Sequence, residues 1–356
     1  MGFITSLLVL SFLVFFHELG HFLAARLFGV RVNAFSIGFG KQKIWKKQIG
    51  DTEYSLRPIP LGGFVELKGQ SDLDPKNRNY DKDSLYGISS WKRLVILAAG
   101  SFFNILLAFL LYMIIALVGQ KELAPIIGKI VPNSPAQIAN LKPNDEVIRL
   151  NNTPIKTWES LNQGILNSKG SIELVILREG KEYEVTLTPQ IGKSQNIFKE
   201  EISRPLVGIT AKGEAKVVSY SLTESFGVAF SKTLEASYLI IKGIEKLITG
   251  VVPASEVGGV VSIVSITKHA SELGIITLFA FSALISVNLG ILNLLPIPAL
   301  DGGHIIFTLY EMVTKKIPSL NTLYRLTMMG WVFLIGLMGL GLYNDIIRLI
   351  NGTIIP

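Results

Sequence analysis

Residues 3–28, FITSLLVLSFLVFFHELGHFLAARLF, decide the fold. The run is long enough to cross a bilayer as one helix, which needs about 20 apolar residues. Yet His17, Glu18 and His21 sit inside it. On a helix, positions i and i+4 share a face, one turn apart. Two imidazoles so placed can grip one Zn²⁺, and the intervening glutamate can reach a water that the metal activates. Each charged group at that depth costs about 2.5–3.5 kcal/mol on insertion scales. Such residues mark a functional site or a polar cluster satisfied between helices. The run lacks a basic leader and a small-residue cleavage site, so it reads as a retained helix.

Three further apolar runs follow, at 94–118, 273–295 and 326–342. Of the 356 residues, 49% are hydrophobic and 17% charged, which fits a multi-pass membrane protein carrying a soluble part. Cysteine is absent, which excludes disulfides and thiolate metal sites. The net charge of +7 matters less than its location. Arg31, Lys41, Lys43, Lys46, Lys47, Arg57, Lys68, Lys76, Arg78, Lys82, Lys92 and Arg93 all fall between the first two runs. Lys315, Lys316 and Arg325 fall between the last two. The positive-inside rule places both loops in the cytoplasm, with both termini and residues 120–272 outside. The basic excess thus reports topology, and no nucleic-acid partner is expected.

Residues 29–92 are polar, with a strand-like stretch at 54–67 interrupted by Pro58, Pro60, Gly62 and Gly63. Proline there points to an edge strand or a turn. Residues 120–190 read as a compact α/β module. Strands are expected at 126–131, 146–150, 172–177 and 183–187, with a short helix at 135–141 and a second, capped by Thr157, running to Asn167. In the connecting segment, 191–272, apolar positions from Leu222 through Phe226, Phe230, Leu234, Tyr238, Ile241, Ile244 and Ile248 step at helical spacing. That predicts an amphipathic helix on the membrane surface or against the bundle, or a soluble core helix.

A catalytic zinc takes three protein ligands and keeps one position open. Two more histidines exist, His269 and His304, but Asp301 is the better candidate. It follows Asn293-Leu294-Leu295-Pro296-Ile297-Pro298-Ala299-Leu300 at the end of the third run. The prolines break the helix, and irregular backbone at membrane depth is tolerated only when buried in protein or lining a watery cavity. Asp301 then either faces a hydrated pocket or caps the next helix, with Gly302 and Gly303 as turn residues.

The HELGH motif in the first span, together with N-x-x-P-x-P-x-L-D-G near the third, resembles the site-2 protease family of intramembrane zinc proteases. The resemblance covers nearly the whole chain. Ser36-Ile37-Gly38-Phe39-Gly40, residues 54–65 and residues 283–290 look like the regulator-of-sigma-E protease type. The 120–190 module resembles a PDZ domain, in which Asn140 and Asn144 replace two expected glycines. The family's glycine-proline pair is Gly100-Ser101 here, with Asn104 kept, and Gly258-Gly259-Val260 lacks a usual proline.

The resemblance implies one Zn²⁺ per chain, bound by His17, His21 and Asp301, with Glu18 as catalytic base. Asn293, Asn288 and Pro298 are candidate substrate contacts, although the asparagines could equally bond neighbouring helices. Gly62, Gly63 and Val65 belong to a stretch that would hold an unwound substrate as an added strand. The implied partners are the lipid bilayer and single-pass membrane proteins, such as clipped anti-sigma factors or remnant signal peptides. The PDZ-like module would catch substrate C-termini or screen out bulky outer domains. The expected fold is a multi-pass α-helical membrane protein of the bacterial inner membrane. It would have about four transmembrane helices, a membrane-associated β-hairpin-like loop and an inserted α/β PDZ domain. Its segments are 1–119, 120–190, 191–272 and 273–356, with the active site toward the cytoplasm. The competing readings are a membrane-anchored PDZ scaffold with a relict metal site and a zinc transporter.

Overall fold

The computed structural model describes residues 2–70 and 78–353, so Lys76 lies outside the described residues. Two compact units emerge, residues 114–225 and the remainder of the chain.

In the larger unit the first apolar run forms α1 (Gly2–Leu27). Gly29, at φ +76°, ends it, and the Val30 amide bonds back to the Ala25 carbonyl. This is the usual way a glycine satisfies the last carbonyls of a helix. Strands β1 (Val32–Phe39), β2 (Trp45–Ile49), β3 (Thr52–Leu56) and β4 (Ile59–Leu67) follow. They form a four-stranded sheet in the order β2-β3-β1-β4, with β1 and β3 parallel. The hairpin in this loop is β2-β3, with Ile49 paired to Thr52 across Gly50-Asp51, and it is part of this larger sheet. The strand-like stretch turns at Arg57-Pro58, and its two halves pair on opposite sides of β1 rather than with each other. Pro60 lies in β4, an edge strand, where a missing N–H is tolerated. The Ser11 hydroxyl of α1 donates to the Pro60 carbonyl, so β4 runs along a helix of spanning length.

The second run forms α2 (Ser90–Val118). Later elements of this unit are α6 (Val260–Glu272), α7 (Ile275–Asn293), α8 (Asp301–Thr314) and α9 (Leu320–Ile350). Among the described residues, four helices are long and apolar enough to cross a membrane: Phe3–Leu27, Ser90–Val118, Ile275–Asn293 and Leu320–Ile350. Leu13, Leu107, Leu111, Ala283 and Val287 form the core shared by α1, α2 and α7. Asp345 of α9 is buried and accepts the backbone N–H groups of Gly259, Val261 and Ser262 and the Ser262 hydroxyl. It caps the start of α6, satisfying donors a helix N-terminus leaves open.

The smaller unit holds β5 (Gln120–Leu123), β6 (Ile127–Ile130), α3 (Pro135–Ile138), β7 (Glu146–Leu150), β8 (Thr153–Pro154), α4 (Trp158–Leu166), β9 (Ile172–Arg178) and β10 (Lys181–Leu187). β11 (Gln190–Gln195), β12 (Glu201–Leu206), β13 (Ile209–Ala211) and β14 (Ala215–Val218) complete it. Thr157 and Ser160 form a capping box at α4. Asn140 and Asn144 adopt φ of +57° and +73°, left-handed conformations in which asparagine is the best substitute for glycine. The module extends past residue 190, because β13 pairs with β6 and β14 with β5.

The amphipathic segment forms α5 (Leu222–Ile248). Its small face, including Ala229, Thr233 and Ala236, is buried, and Ala236 joins the core of α1, α2 and α7. Phe226, Phe230, Leu234, Tyr238 and Ile241 stay exposed. The helix therefore packs on the bundle through its small residues and turns its large apolar residues outward, unlike a soluble core helix.

Candidate active site

His17, Glu18 and His21 occupy consecutive turns of α1, and glycines let the neighbouring helix approach them. A Cβ on Gly20 would lie 2.4 Å from the Ala99 carbonyl oxygen of α2. One on Gly100 would lie 2.3 Å from His21 Nε2 and 2.8 Å from His17 Nε2. No side chain fits at either position, so α2 presses bare backbone against the two imidazoles.

Asp301 arrives from the other side. After α7 the chain passes through Leu294 to Leu300 as tight turns whose amides find carbonyls within the segment, such as Ile297 to Leu295 and Leu300 to Ile297. Gly302 and Gly303 pack against the carbonyl oxygens of Leu295 and Ile297, where a Cβ would stand 2.2 and 2.4 Å away. Asp301 is the first residue of α8, and the helix has no side-chain cap. Its carboxylate turns to the histidines instead. Further along α8, Glu311 accepts Arg78 Nη1 at 2.8 Å and Arg93 Nη1 at 2.6 Å, all three side chains being at most 10% exposed. This ties α8 to the start of α2.

Asp301 Oδ2 lies 3.1 Å from His17 Nε2 and 3.3 Å from His21 Nε2. The two Nε2 atoms are 3.2 Å apart. His21 Nδ1 lies 2.8 Å from the Ile96 carbonyl oxygen. A carbonyl only accepts, so Nδ1 carries the hydrogen and a neutral His21 aims an Nε2 lone pair at Asp301. Buried lone pairs and a carboxylate oxygen at such distances repel one another unless a hydrogen or a metal cation lies between them, and one cation at the centre satisfies all three at once. Tetrahedral ligands about 2.0–2.1 Å from one zinc ion stand about 3.3 Å apart. The observed triangle fits that spacing, and no other set of three metal-ligating side chains clusters this way among the described residues. His269 lies in α6 and is not part of the cluster.

Glu18 borders a cavity of about 170 Å³ that the triad also lines, together with Val65, Leu67, Gln70, Leu97, Asn293, Ala299, Leu300, His304 and Trp331. The Val65 amide donates to Glu18 Oε2 at 2.9 Å, joining the edge strand to the helix carrying the motif. Of the candidate substrate contacts, Asn293 and Val65 line the cavity, whereas Asn288, Pro298, Gly62 and Gly63 do not. Gly63 instead allows close pairing, since a Cβ there would stand 2.6 Å from the Ser36 carbonyl oxygen of β1. Sequence reasoning passed over His304 and Trp331 as cavity residues. His304 had a signal, three residues after Asp301 on one helix face. Trp331, inside an apolar run, had none.

The model of Peptidase family M50 matches residues 5–337 of this chain. A protein of Campylobacter jejuni named as a zinc metalloprotease is 47% identical over 98% of this chain and 94% of its own length. One from Helicobacter pylori with the same name is 39% identical over 98% of this chain and 100% of its own. Another, from Clostridium acetobutylicum, is 33% identical over 98% of each.

Proposed function

The chain belongs to peptidase family M50 and is a zinc metalloprotease with helices of membrane-spanning length, and from that premise we propose that it cuts other membrane proteins within or beside their transmembrane segments. One observation carries this reading. The donor triangle and Glu18 face a common cavity, and three of these four residues, His17, Glu18 and His21, sit on a helix long and apolar enough to cross a bilayer.

His17, His21 and Asp301 would hold the ion. A bound zinc supplies a Lewis acid that polarises the scissile carbonyl and lowers the pKa of water toward about 7. Glu18 takes the proton of the attacking water and passes it to the leaving amine. Asn293, on the cavity wall, donates to the substrate backbone. The outer edge of β4 is the docking edge, because β1 is its one strand partner and Val65 and Leu67 line the cavity; the Val65 amide itself stays with Glu18. A strand added there gains main-chain hydrogen bonds that a substrate helix gives up on unwinding. A pure scaffold would have no use for Glu18, and a transporter would need more intramembrane carboxylates along a path.

The loops at 29–92 and around 315–325 face the cytoplasm, and the smaller unit acts outside as a PDZ-like module that catches substrate C-termini or excludes bulky domains. The exposed apolar face of α5 contacts lipid. The substrates are single-pass proteins of the anti-sigma-factor or remnant-signal-peptide type, in a bacterial inner membrane.

A test on the substrate side leaves the enzyme intact. Proline at Val65 would remove the N–H that Glu18 accepts, so it is a poor probe of strand addition. In proteoliposomes, a single-pass substrate with proline near the scissile bond should be cut at least about tenfold faster, and one with glycine roughly fivefold faster, than one with leucine there, since those residues lower the cost of unwinding. Equal rates would mean that local unwinding is not part of recognition.

A further inference from the structure

We infer that Asn104 of α2 is a positioning residue for the metal centre, its side-chain carbonyl accepting the Nδ1–H of His17 and so presenting the Nε2 lone pair to zinc. The inference rests on His17 being a ligand. Asn104 is fully buried at the middle of an apolar helix, where polar groups are rare and costly. Its amide group lies 3.2 Å from His17 Nδ1, and its carbonyl oxygen Oδ1 is buried without a partner. Those facts conflict only in the orientation drawn, with Nδ2 toward the ring. Rotating the amide by half a turn exchanges an oxygen and a nitrogen of nearly equal size and brings Oδ1 to the ring nitrogen.

The exchanged orientation gives the orphaned Oδ1 a donor in His17 Nδ1–H and turns Nδ2 to the place Oδ1 now holds. It also agrees with the ligand geometry: a neutral imidazole binding metal through Nε2 carries its hydrogen on Nδ1 and needs an acceptor there. His21 already has this arrangement, with Nδ1 on the Ile96 carbonyl. With Asn104 in the same role, both histidines are fixed in one tautomer from α2. Asn104 is itself held from α7. The Ser286 hydroxyl donates to its backbone carbonyl at 2.7 Å, and at Gly290 an added Cβ would lie 3.4 Å from Asn104 Cβ. The helix preceding Asp301 therefore also sets the rotation of His17.

The two orientations respond oppositely to substitution. A carboxylate at 104 accepts but cannot donate, and alanine does neither. Zinc affinity of the purified full chain, measured by competition with a chromophoric chelator, should fall about 10–100-fold in Asn104→Ala, the usual effect of losing such a partner. Asn104→Asp should recover most of that loss. Should Asn104→Asp bind zinc no better than Asn104→Ala, the inference is overturned. Both variants alter a buried site, so the wild type supplies an independent reading. Nitrogen NMR of the histidine-labelled, zinc-loaded full chain should show His17 bound through Nε2 with a hydrogen on Nδ1 that exchanges with water more slowly than in Asn104→Ala; coordination through Nδ1, or equal exchange in the two proteins, would contradict the proposal. His17→Ala in the same series separates the two levels of the argument. If that variant keeps wild-type zinc affinity, the ligand assignment fails first; if it loses zinc while Asn104→Ala does not, only the role of Asn104 fails.

Discussion

Glu18→Gln is expected to abolish peptide cleavage, by on the order of 10²–10⁴-fold, while zinc stays at about one per chain. The separation follows from geometry. His17, His21 and Asp301 supply the donor triangle without Glu18. Glutamine is close in shape to glutamate, and its carbonyl oxygen can still accept the Val65 amide that Glu18 Oε2 accepts now. The edge strand thus keeps its tie to α1, and only proton transfer is lost. Cleavage of a single-pass substrate in proteoliposomes and zinc by mass spectrometry would be measured on the same preparation. Loss of zinc together with cleavage would make Glu18 part of the binding site, contrary to the role assigned here.

Asp301→Ala should act on the other half of the site. Structural zinc sites with four protein ligands are worth about 10–16 kcal/mol, so one ligand accounts for ~3 kcal/mol, on the order of 100-fold in affinity. Cleavage should disappear with the metal at ordinary zinc concentrations. The effect is also local, because Asp301 does not cap α8 and the helix stays anchored through Glu311 to Arg78 and Arg93. Unchanged affinity would move the third ligand elsewhere, with His304, on the same cavity wall, the first residue to examine.

Much of this architecture is legible in the chain because its signals are local. Apolar runs mark the four long helices, and the spacing of His17 and His21 already implies a shared helical face. The proline-broken exit from α7 makes Asp301 a candidate, which the family resemblance then assigns as the third ligand. Asn140 and Asn144 stand where a left-handed backbone is required, and both adopt it. What stays hidden depends on partners distant in sequence. The parallel pairing of β1 with β3 leaves no mark in either strand, and β2 is exposed throughout, with no alternation to read. The smaller unit continues past residue 190 because short strands near 209–218 pair back to strands some 80–100 residues earlier. The tight contact of Gly100 with two imidazoles is a tertiary fact, and a glycine in an apolar run gives no hint of it. Asn104 is an intermediate case. Its polarity at membrane depth announces a role, and only the structure shows which ring it meets.

The most direct test is to map the bond that is cut. The purified chain, reconstituted with zinc in lipid vesicles, would be given a single-pass substrate already trimmed outside the membrane, and the product termini would be read by mass spectrometry. New termini within or immediately beside the substrate's transmembrane segment, absent from the Glu18→Gln reaction, are the expected result. Cleavage confined to segments well away from the bilayer, or no cleavage across a panel of trimmed substrates by zinc-loaded protein, would contradict the account.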